Sequence, residues 1–134
     1  MIGLDTNVIV RYVVQDDRAQ SAAATRLLEN ELTPENPGYL SLVALAEVVW
    51  VLAAAYGTDK PTLARVVEGL LGAPVIRVQE AEAAWLALLD FREPSSTVDF
   101  SDALIVRLGS RAGCPRTVTF DRRAARHPAF SLLE

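Results

Sequence analysis

Asp5, Glu47, Asp102 and Asp121 are the residues of this 134-residue chain whose type and setting ask for a chemical explanation. Asp5 directly follows the apolar run MIGL, and Asp121 directly follows TVTF. In a parallel α/β sheet, residues just past the carboxyl ends of strands face the edge where ligands bind. Both acids are therefore expected on that edge, and each also suits a helix cap, a role compatible with ligation. Glu47 has Val43, Ala44, Trp50 and Val51 at three and four residues to either side. This predicts a carboxylate on a face otherwise suited to burial, where it must meet an arginine, a proton or a metal. Asp99 and Asp102 stand three apart at a helix start, with Asp99 suited to the N-cap and Asp102 to a reciprocal first-turn acid. Ala103, Leu104 and Ile105 follow Asp102 directly and give it a rigid base.

If Asp5, Glu47, Asp102 and Asp121 converge, the carboxylates repel one another and raise their own proton affinities unless a cation compensates. Oxygen-only ligands select a hard divalent ion, Mg²⁺ or Mn²⁺, over zinc. Beside a phosphodiester, such an ion helps deprotonate water and neutralises charge on the scissile group, with no covalent nucleophile required. Thr6, Asn7, Ser101 and Thr119 are short hydrogen-bonding residues next to these acids, placed to orient carboxylates or to make local caps and turns. Asp99 is a further acid, ranked below the four.

The elements that must position these residues read as short strands alternating with longer helices. MIGL suits a buried strand ended by the polar Asp5-Thr6-Asn7, followed by helices over 8–14 and 18–32 and a turn over 33–37. A strand over 39–41 leads through the capping Ser41 into a helix over 42–56 that is apolar nearly all round and stopped by Gly57. A helix over 60–71 has Pro61 in its first turn and is closed by Gly72 and Pro74. A strand over 75–78, helices over 80–91 and 99–111, a strand over 117–120, a short helix over 122–126 and a last strand over 130–133 complete the chain. This alternation predicts a three-layer α/β/α sandwich with a short parallel central sheet, formed as a single domain over 1–134.

Composition supports a packed core, with 51% apolar and 22% charged residues, and excludes disorder. The single cysteine, Cys114, excludes an internal disulfide framework and a cysteine-rich zinc site, and suits a reduced, cytoplasmic compartment. No secretory leader is read at the start, since Asp5 interrupts its apolar stretch. Glu47 likewise interrupts the one membrane-like segment, 38–58, so no membrane partner is expected. Net charge is −4, yet residues 107–134 carry six arginines against Asp121 and Glu134. Arg107, Arg111, Arg116, Arg122, Arg123 and Arg126 are the candidate phosphate contacts that would hold a nucleic-acid backbone beside an acidic pocket. Trp50 and Trp85 are expected to pack in the core rather than stack on bases. His127 suits a surface or capping role, and Cys114 has no neighbouring base to activate it.

Other sites that use carboxylates fit less well. An aspartyl-nucleophile phosphatase wants a second Asp two positions after Asp5, where Asn7 stands. A signalling receiver wants a strand-end lysine, and the only lysine, Lys60, starts a helix. Glycine-rich nucleotide loops are absent.

Taken in order, IGLDTNVIV, SLVALAEVVWVL, DFSDALIV and TFD resemble a PIN-domain ribonuclease, most closely a VapC-type toxin of a bacterial toxin-antitoxin pair. The resemblance covers nearly the whole chain. It implies an α/β/α domain that cleaves RNA with Mg²⁺ or Mn²⁺, with transfer RNA as the first substrate to try. On this resemblance Asp5, Glu47 and Asp102 match the family's first three acids and Asp121 the less strictly kept fourth. Thr119 matches the hydroxyl residue two before it, and Thr6 and Asn7 the polar pair after the first acid. The resemblance further implies a homodimer restrained by a cognate antitoxin, received in a groove near the N-terminal helices. The alternative is a PIN-like RNA- or protein-binding module without turnover.

Overall fold

The computed structural model describes residues 1–134, which divide into two compact units, Met1–Ala81 and Glu82–Glu134. The architecture is mixed α/β, with short parallel strands flanked by helices.

In the first unit, strands β1 (Ile2–Gly3), β2 (Gly38–Leu40) and β3 (Ile76–Val78) form a parallel sheet in the order β1-β2-β3. Ile2 pairs with Gly38, and Gly38 in turn with Ile76. Parallel neighbours need long crossovers. Helices α1 (Thr6–Val14) and α2 (Arg18–Arg26) fill the first, and α3 (Leu42–Tyr56) and α4 (Lys60–Gly72) the second. The predicted helix over 18–32 is α-helical only to Arg26, and Leu27–Glu31 widen into a π turn that ends at the buried Leu32.

Asp5 and Ser41 cap their helices as read from sequence, and Asp17 and Asp59 do the same for α2 and α4. The Asp5, Asp17, Ser41 and Asp59 side chains accept from the backbone N–H groups of Thr6, Gln20, Ala44 and Thr62, satisfying donors that a helix start leaves without partners. At the end of α3, Gly57 takes a φ of 61° and its N–H reaches the Leu52 carbonyl, a left-handed stop that glycine adopts without strain.

The core side of α3 is Leu42, Leu45, Val48, Val49 and Leu52. Gly38 lies under Leu4 and Leu32, where an added Cβ would stand 2.6 Å from Leu4 Cδ1 and 2.9 Å from Leu32 Cδ1. Both leucines are buried and have little room to retreat. Gly38→Ala is therefore expected to cost about 1–2 kcal/mol through overpacking, read as a lowered midpoint in urea at unchanged slope. An unchanged midpoint would show that the two leucines repack freely.

In the second unit, α5 (Ala81–Arg92) and α6 (Phe100–Arg111) precede strands β4 (Thr117–Thr119) and β5 (Phe130–Leu132), which pair in parallel. A 3₁₀ turn at Ala124–Arg126 connects them. Phe91 of α5 and Phe100 of α6 meet edge to face with centroids 5.9 Å apart, a favoured aromatic geometry.

Two burial expectations are corrected. Trp50 is 66% exposed, and Trp85 is half-buried. Glu47 is exposed, and so are Val43, four residues before it, and Trp50, three after it. Those three share one helical face, and the opposite face of α3 packs. A helix apolar on all sides carries no signal for which face turns inward. Asp99 is the cap of α6, which starts at Phe100, and the π turn and strand ends shift other predicted bounds by one to a few residues.

Candidate functional site

Asp5 ends β1 and caps α1, its Oδ1 accepting from Thr6 N–H at 2.8 Å. The cap fixes the carboxylate at the carboxyl edge of the sheet, with Thr6 buried beneath it. Asp5, Thr6, Asn7, Arg11, Glu47 and Tyr56 line one cleft of about 280 Å³. The first unit thus brings the predicted acids Asp5 and Glu47, and the predicted polar pair Thr6 and Asn7, to one opening. Glu47 enters it from the exposed face of α3 and meets no buried arginine there; its charge stays in contact with water.

The cleft also holds two residues that the sequence reading passed over. Arg11, one turn after Asn7 on α1, donates through Nε to Gln20 Oε1 at 2.7 Å and through Nη1 to Asp16 Oδ1 at 3.3 Å and the Tyr56 hydroxyl at 3.2 Å. Tyr56, at the end of α3, donates its hydroxyl to Asp16 Oδ2 at 2.8 Å. That hydroxyl is the main reason the Asp16 carboxyl sits below its usual range. The available signal was the spacing of Asn7 and Arg11, one helical turn apart behind Asp5.

In the second unit, Asp99 and Asp102 form a reciprocal box at the start of α6. Asp99 Oδ1 accepts from Asp102 N–H at 2.8 Å, and Asp102 Oδ2 accepts from Asp99 N–H at 3.4 Å. Burial first, and then the negative charge of Asp99, push the Asp102 carboxyl above its usual range, and Asp121 adds to the push. Asp121 is held by a turn of its own. Thr119 Oγ1 accepts from Asp121 N–H at 3.0 Å, and Asp121 Oδ1 accepts from the N–H groups of Arg123 at 2.8 Å and Ala124 at 3.3 Å. Thr119 therefore anchors the acid two residues on, and Ser101 lies half-buried in the first turn of α6.

A hard divalent ion needs several oxygens in one shell at roughly 2.0–2.6 Å. The donor chemistry of these acids suits such an ion. Their placement does not complete a shell, since no group of three or more His, Cys, Asp or Glu side chains stands where it could hold a metal. Asp102 still feels Asp99 and Asp121, because Coulomb interaction reaches well beyond coordination distance.

The candidate phosphate contacts are not equivalent. Arg107 is committed to Asp90, with Nε to Oδ2 and Nη2 to Oδ1 both at 2.7 Å. Arg111 reaches Glu82 at 3.6 Å. Arg116, Arg122, Arg123 and Arg126 are exposed, and Arg126 borders a separate cavity with Asp90 and His127. His127 does cap: its Nδ1 accepts from Ala129 N–H at 3.1 Å. Cys114 is exposed with a free thiol. No helix is long and apolar enough to cross a membrane.

Residues 2–129 match the family model described as PIN domain. None of the curated proteins matches the chain.

Proposed function

Because the chain belongs to the PIN domain family, we propose that it is a metal-dependent endoribonuclease, acting on RNA as a VapC-type toxin restrained by a cognate antitoxin. The observation that carries this reading is the cleft into which Asp5 and Glu47 both open. The acids assigned to the hydrolysis are Asp5, Glu47, Asp102 and Asp121, with Asp99 in a lesser role. Mg²⁺ or Mn²⁺, if held by these carboxylates, would supply charge neutralisation at the scissile phosphate. The chain's own residues prepare the acids: Thr6 N–H orients Asp5, the Thr119 hydroxyl fixes the turn of Asp121, and Asp99 fixes the backbone of Asp102. The reading includes a homodimer, and transfer RNA is the first substrate to assay.

A second reading, a PIN-like RNA- or protein-binding module without turnover, is favoured by the lack of any three acids placed around one metal position. The side chains as they stand fit this module better; the nuclease reading draws on the shared cleft and on the number of acids at strand and helix ends. One assay separates the two. Antitoxin-free protein and its Asp5→Asn variant are incubated with transfer RNA, with Mn²⁺ and with chelator. The nuclease reading expects cleavage only with metal and a loss of at least about a hundredfold in the variant. RNA binding without cleavage selects the module. Equal cleavage by both proteins identifies a contaminating nuclease and removes the proposal.

A further inference from the structure

Arg11 is the one cation among the residues lining the cleft that holds Asp5 and Glu47. Three of its contacts hold it in place: Gln20 on Nε, and Asp16 and the Tyr56 hydroxyl on Nη1. Tyr56 and Asp16 are in turn bonded to each other, so the guanidinium is braced from α2, from the loop before it and from the end of α3. None of these bonds uses Nη2, and none goes to Asp5 or Glu47. The guanidinium is thus preorganised with Nη2 still able to donate to a phosphate oxygen. A phosphodiester entering between two carboxylates meets repulsion, and a fixed cation on the same wall offsets it.

We propose that Arg11 is a phosphate anchor, binding the backbone of a single RNA strand in the Asp5–Glu47 cleft through its unused Nη2, with Asp16, Gln20 and Tyr56 as its positioning residues. The anchor rests on RNA as the ligand, as in the nuclease reading and the RNA-binding form of the module, and does not rest on turnover. It adds to the C-terminal arginines a contact in the first unit, beside two of the acids.

The test measures binding of a fluorescent single-stranded RNA to the full chain carrying Asp102→Asn, a change outside the cleft that keeps the RNA intact. Dissociation constants are taken over a series of salt concentrations at fixed Mg²⁺. Adding Arg11→Gln is expected to weaken binding about tenfold at low salt and to reduce the steepness of log K against log salt by about 0.7, the share of one phosphate contact on a single strand. Arg11→Lys is expected to restore the steepness and leave affinity several-fold weaker, because a single ammonium cannot be braced by Gln20, Asp16 and Tyr56 and reach the phosphate at once. Tyr56→Phe is expected to keep the steepness and weaken binding less than Arg11→Gln.

Unchanged affinity and steepness in Arg11→Gln would overturn the anchor and leave the RNA reading intact. A change in affinity at constant steepness would also overturn it, showing that Arg11 serves only the local structure. Failure of the parent protein to bind RNA would remove the anchor and the RNA reading together. Should Arg11→Gln not fold, Arg11→Lys decides alone, and an affinity equal to the parent's would refute the anchor.

Discussion

Asp102→Asn is expected to lose RNA cleavage by roughly a thousandfold while its melting temperature at neutral pH holds or rises. The stability effect has an electrostatic cause. Burial, followed by the charge of Asp99 and helped by Asp121, raises the proton affinity of Asp102 in the folded chain. A carboxyl raised in this way contributes stability that is fully present below its unfolded value, about 3.9, and is lost as pH rises through the folded value. At neutral pH the ionised group is a cost, and asparagine does not carry it. The difference in melting temperature between Asp102→Asn and the parent should therefore shrink towards zero as pH falls below the ordinary carboxylate range. Asparagine can still accept from Asp99 N–H, so the cap of α6 is kept. Mn²⁺ should raise the parent's melting temperature more than the variant's, because a ligand stabilises the state that binds it better. Asp99→Asn should retain more activity than Asp102→Asn. A marked loss of stability in Asp102→Asn at pH 7 would mean that the cap outweighs the repulsion, and would refute the electrostatic account.

Arg107→Ala is expected to destabilise the second unit by about 2–3 kcal/mol, or roughly 10 °C in melting temperature. Asp90 accepts two short bonds from the Arg107 guanidinium, and its side chain is only 15% exposed. Without Arg107, the nearest cationic group is His127 Nε2 at 3.9 Å, and it is charged only when protonated. The variant leaves a largely buried carboxylate without its partner, the expensive way to break an ion pair. The double variant Arg107→Ala, Asp90→Ala should recover more than half of the loss, as coupled neighbours do in such cycles. Thermal unfolding of the four proteins decides it, and additive losses would show that the pair contributes no coupling.

Arg107 also shows where the sequence was legible and where it was not. Its position among six C-terminal arginines suggested a phosphate contact, whereas Asp90, seventeen residues earlier, claims its guanidinium in the fold. Pairings across such separations leave no local pattern. Local chemistry was readable: Ser41 and Gly57 bound α3 as expected, Pro61 lies in the first turn of α4, and Asp5 ends a strand and starts a helix. The first-unit part of the candidate site was legible for the same reason, since Asp5, Thr6 and Asn7 are contiguous and Glu47 lies on a well-defined helix. Arg11 and Tyr56 escaped notice because their meeting depends on how α1, α2 and α3 pack. The burial of Trp50 was misjudged because α3 offered apolar residues on every side.

That exposed indole gives the molecule a built-in optical probe. Of the two tryptophans, Trp50 belongs to the first unit and Trp85 to the second. Trp50 is about two-thirds exposed and should emit at longer wavelength, with the half-covered Trp85 emitting further to the blue. A Trp50→Phe protein therefore reports only on residues 82–134 and a Trp85→Phe protein only on residues 1–81, so denaturation curves of the pair would reveal whether the halves melt as one cooperative block or in turn.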